Sequence, residues 1–219
     1  MEIRSFAAAP SLTGRTISGY AVVFNSESQV MFDPKAGRMF IEIIEPQAIT
    51  KDIILDSDIK MLLEHNKERL LARCNKGKGT LDTFIDTKGV RYRFNSPNTQ
   101  DGDFAVEMIK RGDISGSSFA FTIAKNGDKW EKRKDGIWLR RVKRARKLYD
   151  FTITADPAYQ QTTAEVRKFL TKLTDEERAR EMAYYYRKAG MKMPKRTMTL
   201  DEAVKIINDI DKKLSTIKF

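Results

Sequence analysis

The strongest constraint on this chain is a series of short alternating segments, closed off by glycine, proline, asparagine or aspartate, that fills its first two thirds. In residues 116–123, GSSFAFTI, an extended backbone sends Ser117, Phe119, Phe121 and Ile123 to one face and Ser118, Ala120 and Thr122 to the other. Residues 149–154, YDFTIT, repeat the pattern, with Tyr149, Phe151 and Ile153 opposite Asp150, Thr152 and Thr154. Residues 1–7, 17–24, 39–44 and 59–65 read as further strands, and 79–85 with 90–94 as a hairpin about Asp86-Thr87-Lys88-Gly89. Pro46 opens a brief helix. A longer helix over 101–110 carries a Phe104, Met108 and Ile109 stripe and stops at Arg111-Gly112. The expected fold is α+β, mainly a β-barrel of short antiparallel strands flanked by helices.

After Thr162-Thr163 the pattern turns helical. Residues 164–173 read as a helix, and Thr174 with Glu177, then Thr199 with Glu202, form two capping-box starts. Between them residues 187–196, RKAGMKMPKR, read as a linker through Gly190 and Pro194. Ala203, Ile206, Ile207, Ile210 and Leu214 make an amphipathic stripe suited to packing or docking. Residues 1–168 are therefore expected to form the main domain and 169–219 a helical C-terminal tail.

Composition narrows the chemistry. With 41% hydrophobic and 32% charged residues, 219 residues suit one globular domain with an appendage. No apolar run is long enough to span a bilayer, and the start, MEIRSFAAAPSLTG, has no apolar signal core, so neither membrane insertion nor signal-directed secretion is expected. One cysteine, Cys74, excludes an internal disulfide, and one cysteine with one histidine argues against a structural zinc site. No cofactor is expected. The net charge of +11 is concentrated in residues 125–147, where Lys125, Lys129, Lys132, Arg133, Lys134, Arg140, Arg141, Lys143, Arg144, Arg146 and Lys147 face only Asp128, Glu131 and Asp135. Asn126-Gly127 and Asp135-Gly136 are turn signals, and Trp130, Ile137, Trp138 and Val142 supply strand residues. This reads as an exposed basic hairpin that meets an acidic protein partner. A nucleic-acid surface is the competing reading, but the aromatic interleaving of a single-strand platform is sparse and no sequence-specific binding is expected.

Ser118, among side chains too small to bury it, is a candidate nucleophile, and His65 is the only histidine that can serve as its base. His65 ends an apolar strand and is expected to open into an Asn66-Lys67-Glu68 loop. A third group must orient the imidazole. Asp150 falls on the same face as Ser118 if their strands pair through the basic hairpin. Asp156, before Pro157, is a rival, and Glu64 lies too close in sequence to face the ring easily. Cys74 with His65 is a conceivable thiol dyad, although a lone cysteine is more often a small buried hydrophobe. The plainer alternative makes Ser118 a turn residue and His65 a structural one.

The ordered set of His65-Asn66 after an apolar strand, a helix ending in Lys110-Arg111-Gly112, SGSSFAF, then YDFTITADPAYQQTT, resembles the prohead proteases of tailed bacteriophages, which are similar in fold to herpesvirus assemblin. Residues 19–24, GYAVVF, and 40–49 resemble the same family, and the likeness covers about residues 1–168. It implies a serine endopeptidase, on a β-barrel flanked by helices, that cuts scaffold and capsid-protein segments, and itself, during capsid assembly. It further implies self-association within the procapsid, in the host cytoplasm. Ser118 matches the family's nucleophile, His65 its base and Asp150 its third member. The other class in play is a non-catalytic basic capsid-assembly or nucleic-acid-binding protein.

Overall fold

A computed structural model describes residues 1–6, 9–28, 30–33, 36–133, 137–155, 171, 173–188 and 198–215. Two compact units emerge: one made of Met1–Ser26, Ile43–Lys129 and Arg141–Ala158, the other of Glu27–Glu42, Trp130–Arg140 and Tyr159–Phe219.

The first unit is built on two open sheets. The larger has the order β1-β11-β14-β6-β7-β8, from β1 (Glu2–Phe6), β11 (Gly116–Ile123), β14 (Ala145–Thr154), β6 (Asp58–Leu63), β7 (Asn66–Asn75) and β8 (Lys78–Gly79). The smaller runs β2-β3-β10-β9, from β2 (Ser11–Thr13), β3 (Thr16–Val23), β10 (Gly89–Asn95) and β9 (Leu81–Ile85). All pairs in the larger sheet for which a direction is defined are antiparallel except β14 with β6, which run parallel. The class is α+β as expected, but the strands do not close: among the described residues the sheets remain open, and no barrel forms. Alternation specifies which face of a strand is buried and leaves closure undetermined, because closure depends on tilt and stagger across the whole sheet.

One core fills this unit. Ile17, Val22, Tyr92 and Phe94 from the smaller sheet join Ile59, Met61, Leu63, Phe119, Phe121, Phe151 and Ile153 from the larger, with the side of α2 (Gln100–Arg111) that carries Ala105. The α2 helix behaves as its sequence dictates. The Thr99 hydroxyl accepts the Gly102 N–H at its start, and Gly112 ends it at φ 81°, a left-handed position that costs glycine nothing. Of its expected stripe, Met108 and Ile109 pack on the core, whereas Phe104 remains 44% exposed beside the Arg69 guanidinium. The Tyr92 ring lies so close to Gly19 that a Cβ there would stand 2.5 Å from its hydroxyl oxygen. That hydroxyl shares a 2.8 Å hydrogen bond with Ser117, and burial pushes the Tyr92 phenol well above its ordinary pKa.

A third sheet has the order β12-β13-β5-β4, from β12 (Asp128–Lys132), β13 (Trp138–Val142), β5 (Arg38–Ile44) and β4 (Met31–Asp33), and most of its residues belong to the second unit. The expected basic hairpin is therefore present as two strands of this sheet. The Arg38 guanidinium lies over the rings of Trp130 and Trp138, at 3.9 and 4.5 Å from their centroids. Two helices follow, α3 (Asp175–Lys188) and α4 (Leu200–Ser215), packed on each other. Both capping boxes form: Glu177 returns to the Thr174 N–H and Glu202 to that of Thr199. Ala203 and Ile207 of the apolar stripe are buried. Asp156, most of the 164–173 helix and most of the 187–196 linker lie outside the described residues, as do the side chains of Ile210 and Leu214.

The sequence reading missed β2, β4, β7, β8 and α1 (Lys51–Leu55). The first two are three-residue edge strands, too short to show a period. Ser117→Ala is expected to lower stability by about 1–3 kcal/mol in urea unfolding, because the buried Tyr92 hydroxyl loses its partner.

Candidate active site

Strand order brings three distant residues together. The register of β11 and β14 sets Ser118 opposite Thr152 and Ala120 opposite Asp150, so all four side chains share a face. Asp150 therefore falls on the face of Ser118, as the sequence suggested. On the other side of β14, the parallel pairing sets Thr152 beside Leu62 and Ile153 beside Leu63, which carries the end of β6 to the same region. His65 follows two residues later.

The histidine does not open a loop. Leu63 pairs with Asn66, so Glu64 and His65 are the two central residues of a tight hairpin, and β7 begins at once. Both have positive φ, 55° and 54°. A two-residue turn of this hand favours Asn-Gly, and a non-glycine residue in left-handed backbone costs about 1–2 kcal/mol. No glycine or asparagine marks those two positions in the sequence. That is why β7, which the turn initiates, went unread.

In this turn the imidazole bridges its two partners. Nδ1 stands 2.7 Å from Asp150 Oδ1, and Nε2 stands 2.6 Å from Ser118 Oγ. Thr152, opposite Ser118 in the register, donates its hydroxyl to Asp150 Oδ1 at 3.1 Å and lies equally far from His65 Nδ1. A carboxylate at Nδ1 holds the N–H on that nitrogen and leaves Nε2 to accept a proton from serine.

The surroundings of Ser118 depart from expectation. Its small neighbours do not leave it open: the residue has 0% exposure. Strand β1 pairs along β11 with Ser5 opposite Ser118, and it supplies two contacts. Ser5 donates its hydroxyl to Ser118 Oγ at 3.0 Å, and Ser118 Oγ lies 2.8 Å from the Arg4 carbonyl oxygen. The serine carries one proton and has two acceptors for it, Arg4 C=O and His65 Nε2. The contributions of Arg4, Ser5 and Thr152 were not anticipated. Of these, Thr152 had a signal, its place on the face of Asp150.

Of the rival acids, Asp156 lies outside the described residues and Glu64 is engaged elsewhere. Glu64 faces away from the imidazole partners: its carboxylate accepts the Thr154 hydroxyl at 2.7 Å and the Ala155 N–H at 2.6 Å. Cys74 is buried in the core on β7, so a thiol dyad does not form. The basic segment is partly spent on internal ion pairs, Arg133 with Glu27, Arg140 with the buried Glu42, and Arg141 with Glu45. Lys125, Lys143, Arg144, Arg146 and Lys147 remain exposed. The turn at Asn126-Gly127 is bonded to the Lys143-Arg144 backbone through the Gly127 carbonyl, which gathers the first three of those cations.

A histidine held between a serine hydroxyl and a buried carboxylate is the working geometry of a serine peptidase. Comparison with known proteins places the chain more closely. The family model of the caudovirus prohead serine proteases matches residues 2–177, and the chain belongs to that family. No curated protein and no solved structure matches it.

Asp150→Asn is expected to lower the cleavage rate on the order of 10³–10⁴-fold, since an amide can hold the wrong tautomer and gives imidazolium no counter-charge. Asp156→Asn, compared in the same progress curves, should retain most of the rate.

Proposed function

We propose that this protein is the maturation endopeptidase of a phage procapsid, cutting scaffold or capsid-protein segments with Ser118 as nucleophile, His65 as general base and acid, and Asp150 as the group that orients and stabilises the imidazole. The observation that carries the reading is the pair of short contacts from the one imidazole, 2.6 Å to Ser118 Oγ and 2.7 Å to Asp150 Oδ1. Family membership supplies the reaction class.

The chemistry follows from those contacts. His65 Nε2 takes the hydroxyl proton as Ser118 Oγ bonds to the scissile carbonyl carbon, and the carbonyl oxygen takes up the negative charge. The imidazolium, steadied by Asp150, returns that proton to the departing amine as the C–N bond breaks, leaving an acyl-serine. Water, deprotonated by the same nitrogen, then frees the carboxylic acid and restores the hydroxyl. Thr152 holds the Asp150 oxygen toward Nδ1 throughout. Ser118 has no exposed surface, so a peptide carbonyl reaches its Oγ only when part of the structure around it, which includes Arg4 and Ser5, gives way.

The location that suits this activity is the interior of the procapsid in the host cell, where protease copies and substrate are confined together. Among the described residues no helix is long and apolar enough to cross a membrane. Residues 1–168 would be the catalytic part and 169–219 an element for docking, released by cleavage in the 187–196 linker. The exposed cations at Lys125, Lys143 and Arg144 favour an acidic substrate segment by long-range attraction, without any means of reading bases.

Ser118→Ala and His65→Ala are each expected to abolish cleavage while the chain stays folded. Mass spectrometry of purified protein over time should show the active form losing a C-terminal fragment that both variants keep. Folded Ser118→Ala that still cleaves would remove the nucleophile assignment, and an active form that retains Phe219 would remove self-processing alone. Lys143→Glu with Arg144→Glu should weaken capture of an acidic protein substrate several-fold at low salt and leave cleavage of a short neutral peptide nearly unchanged.

A further inference from the structure

We propose that Glu64 is a positioning residue for the catalytic base: its carboxylate clamps the turn that carries His65 onto the end of β14, and so holds the imidazole between Ser118 and Asp150. The proposal rests on the reading of His65 as the base and assigns a role to an acid which that reading leaves idle. Glu64 Oε1 accepts the Ala155 N–H at 2.6 Å, Oε2 accepts the Thr154 hydroxyl at 2.7 Å, and the Glu64 N–H donates to the Ile153 carbonyl at 3.2 Å. Three successive residues at the end of β14 thus grip one residue of the turn.

The turn needs a grip. Glu64 and His65 both sit at positive φ with neither glycine nor asparagine to ease it. Strain of this kind persists where the surroundings over-determine it, and it gathers at functional sites. Here the strained backbone presents an imidazole that meets two partners at 2.6 and 2.7 Å, so a shift of about an ångström at the turn takes the ring out of hydrogen-bond reach of one or both. One strand supplies both halves of the alignment: Asp150 on β14 sets the plane of the ring, and the end of that strand, through Glu64, sets where the ring is attached. Among the described contacts Glu64 bonds neither Ser118 nor Asp150, and it acts through His65.

The test uses the full chain with a fluorescein-labelled casein substrate, and it exploits the presence of a single histidine, whose imidazole signals need no assignment. Glu64→Ala should lower kcat at least tenfold with KM within about twofold, and should shift or broaden the low-field Nδ1–H proton resonance. Glu64→Gly should melt no lower than Glu64→Ala, because glycine relieves the positive φ, yet it should be equally slow. Glu64→Gln keeps one accepting oxygen and should fall between Glu64→Ala and the unaltered chain. Three results overturn the proposal: Glu64→Ala within twofold of the unaltered chain, activity lost with an unmoved imidazole resonance, or Glu64→Gly recovering activity together with stability. The triad reading fails separately, by cleavage in folded Ser118→Ala or His65→Ala. If both are inactive while Glu64→Ala is unimpaired, only the role of Glu64 falls.

Discussion

The site depends on the position of β14 between two strands that run in opposite directions. Antiparallel pairing with β11 sets Asp150 and Thr152 on the face of Ser118, and parallel pairing with β6 brings the turn that bears His65 to the same end of the sheet. Neither pairing alone assembles the three residues. The parallel ladder also joins segments about ninety positions apart, so the geometry is obtained only once the long-range fold is complete, at the cost of closing large loops.

A second dependence is the accounting of polar hydrogens around the serines. Ser117 and Ser118 are neighbours on opposite faces, and both are fully buried. Ser117 satisfies the Tyr92 hydroxyl in the core. Ser118 takes a hydrogen bond from Ser5 and has two acceptors for its own proton. The inward hydroxyl thus serves the core and the outward one, on the proposed reading, the chemistry, and the strict two-residue period of a strand is what keeps them apart. A register slip of one residue in β11 would exchange the two roles.

Much of this was legible in the residues. Alternation in 116–123 and 149–154 put Ser118 and Asp150 on the same side, and the lone histidine left one choice of base. The Gly112 end of α2 followed from local chemistry, as did the Thr174 and Thr199 caps. What escaped was non-local or unmarked. A turn made by Glu64 and His65 carries no glycine or asparagine, because partners at the end of β14 hold it. The order of the sheet, its failure to close and the contacts that β1 makes with Ser118 arise between segments that have no shared pattern in the chain. The basic hairpin was found as a pair of strands, but its charge was only partly free, since Glu27, Glu42 and Glu45 lie outside it in sequence.

The enclosure of Ser118 bears on latency. On the proposed assignment the attacking oxygen has no exposed surface, so the rate would be governed by how often that oxygen is uncovered, and Ser118, His65 and Asp150 can stay together while the enzyme is silent. If the uncovered form were about one molecule in a hundred, substrate would bind about a hundredfold more weakly than its contacts allow. At the dilution of a cytoplasm such an enzyme would spare passing proteins. At a high local concentration of substrate the same enzyme would meet enough exposed chain to work, and its activity would follow that concentration.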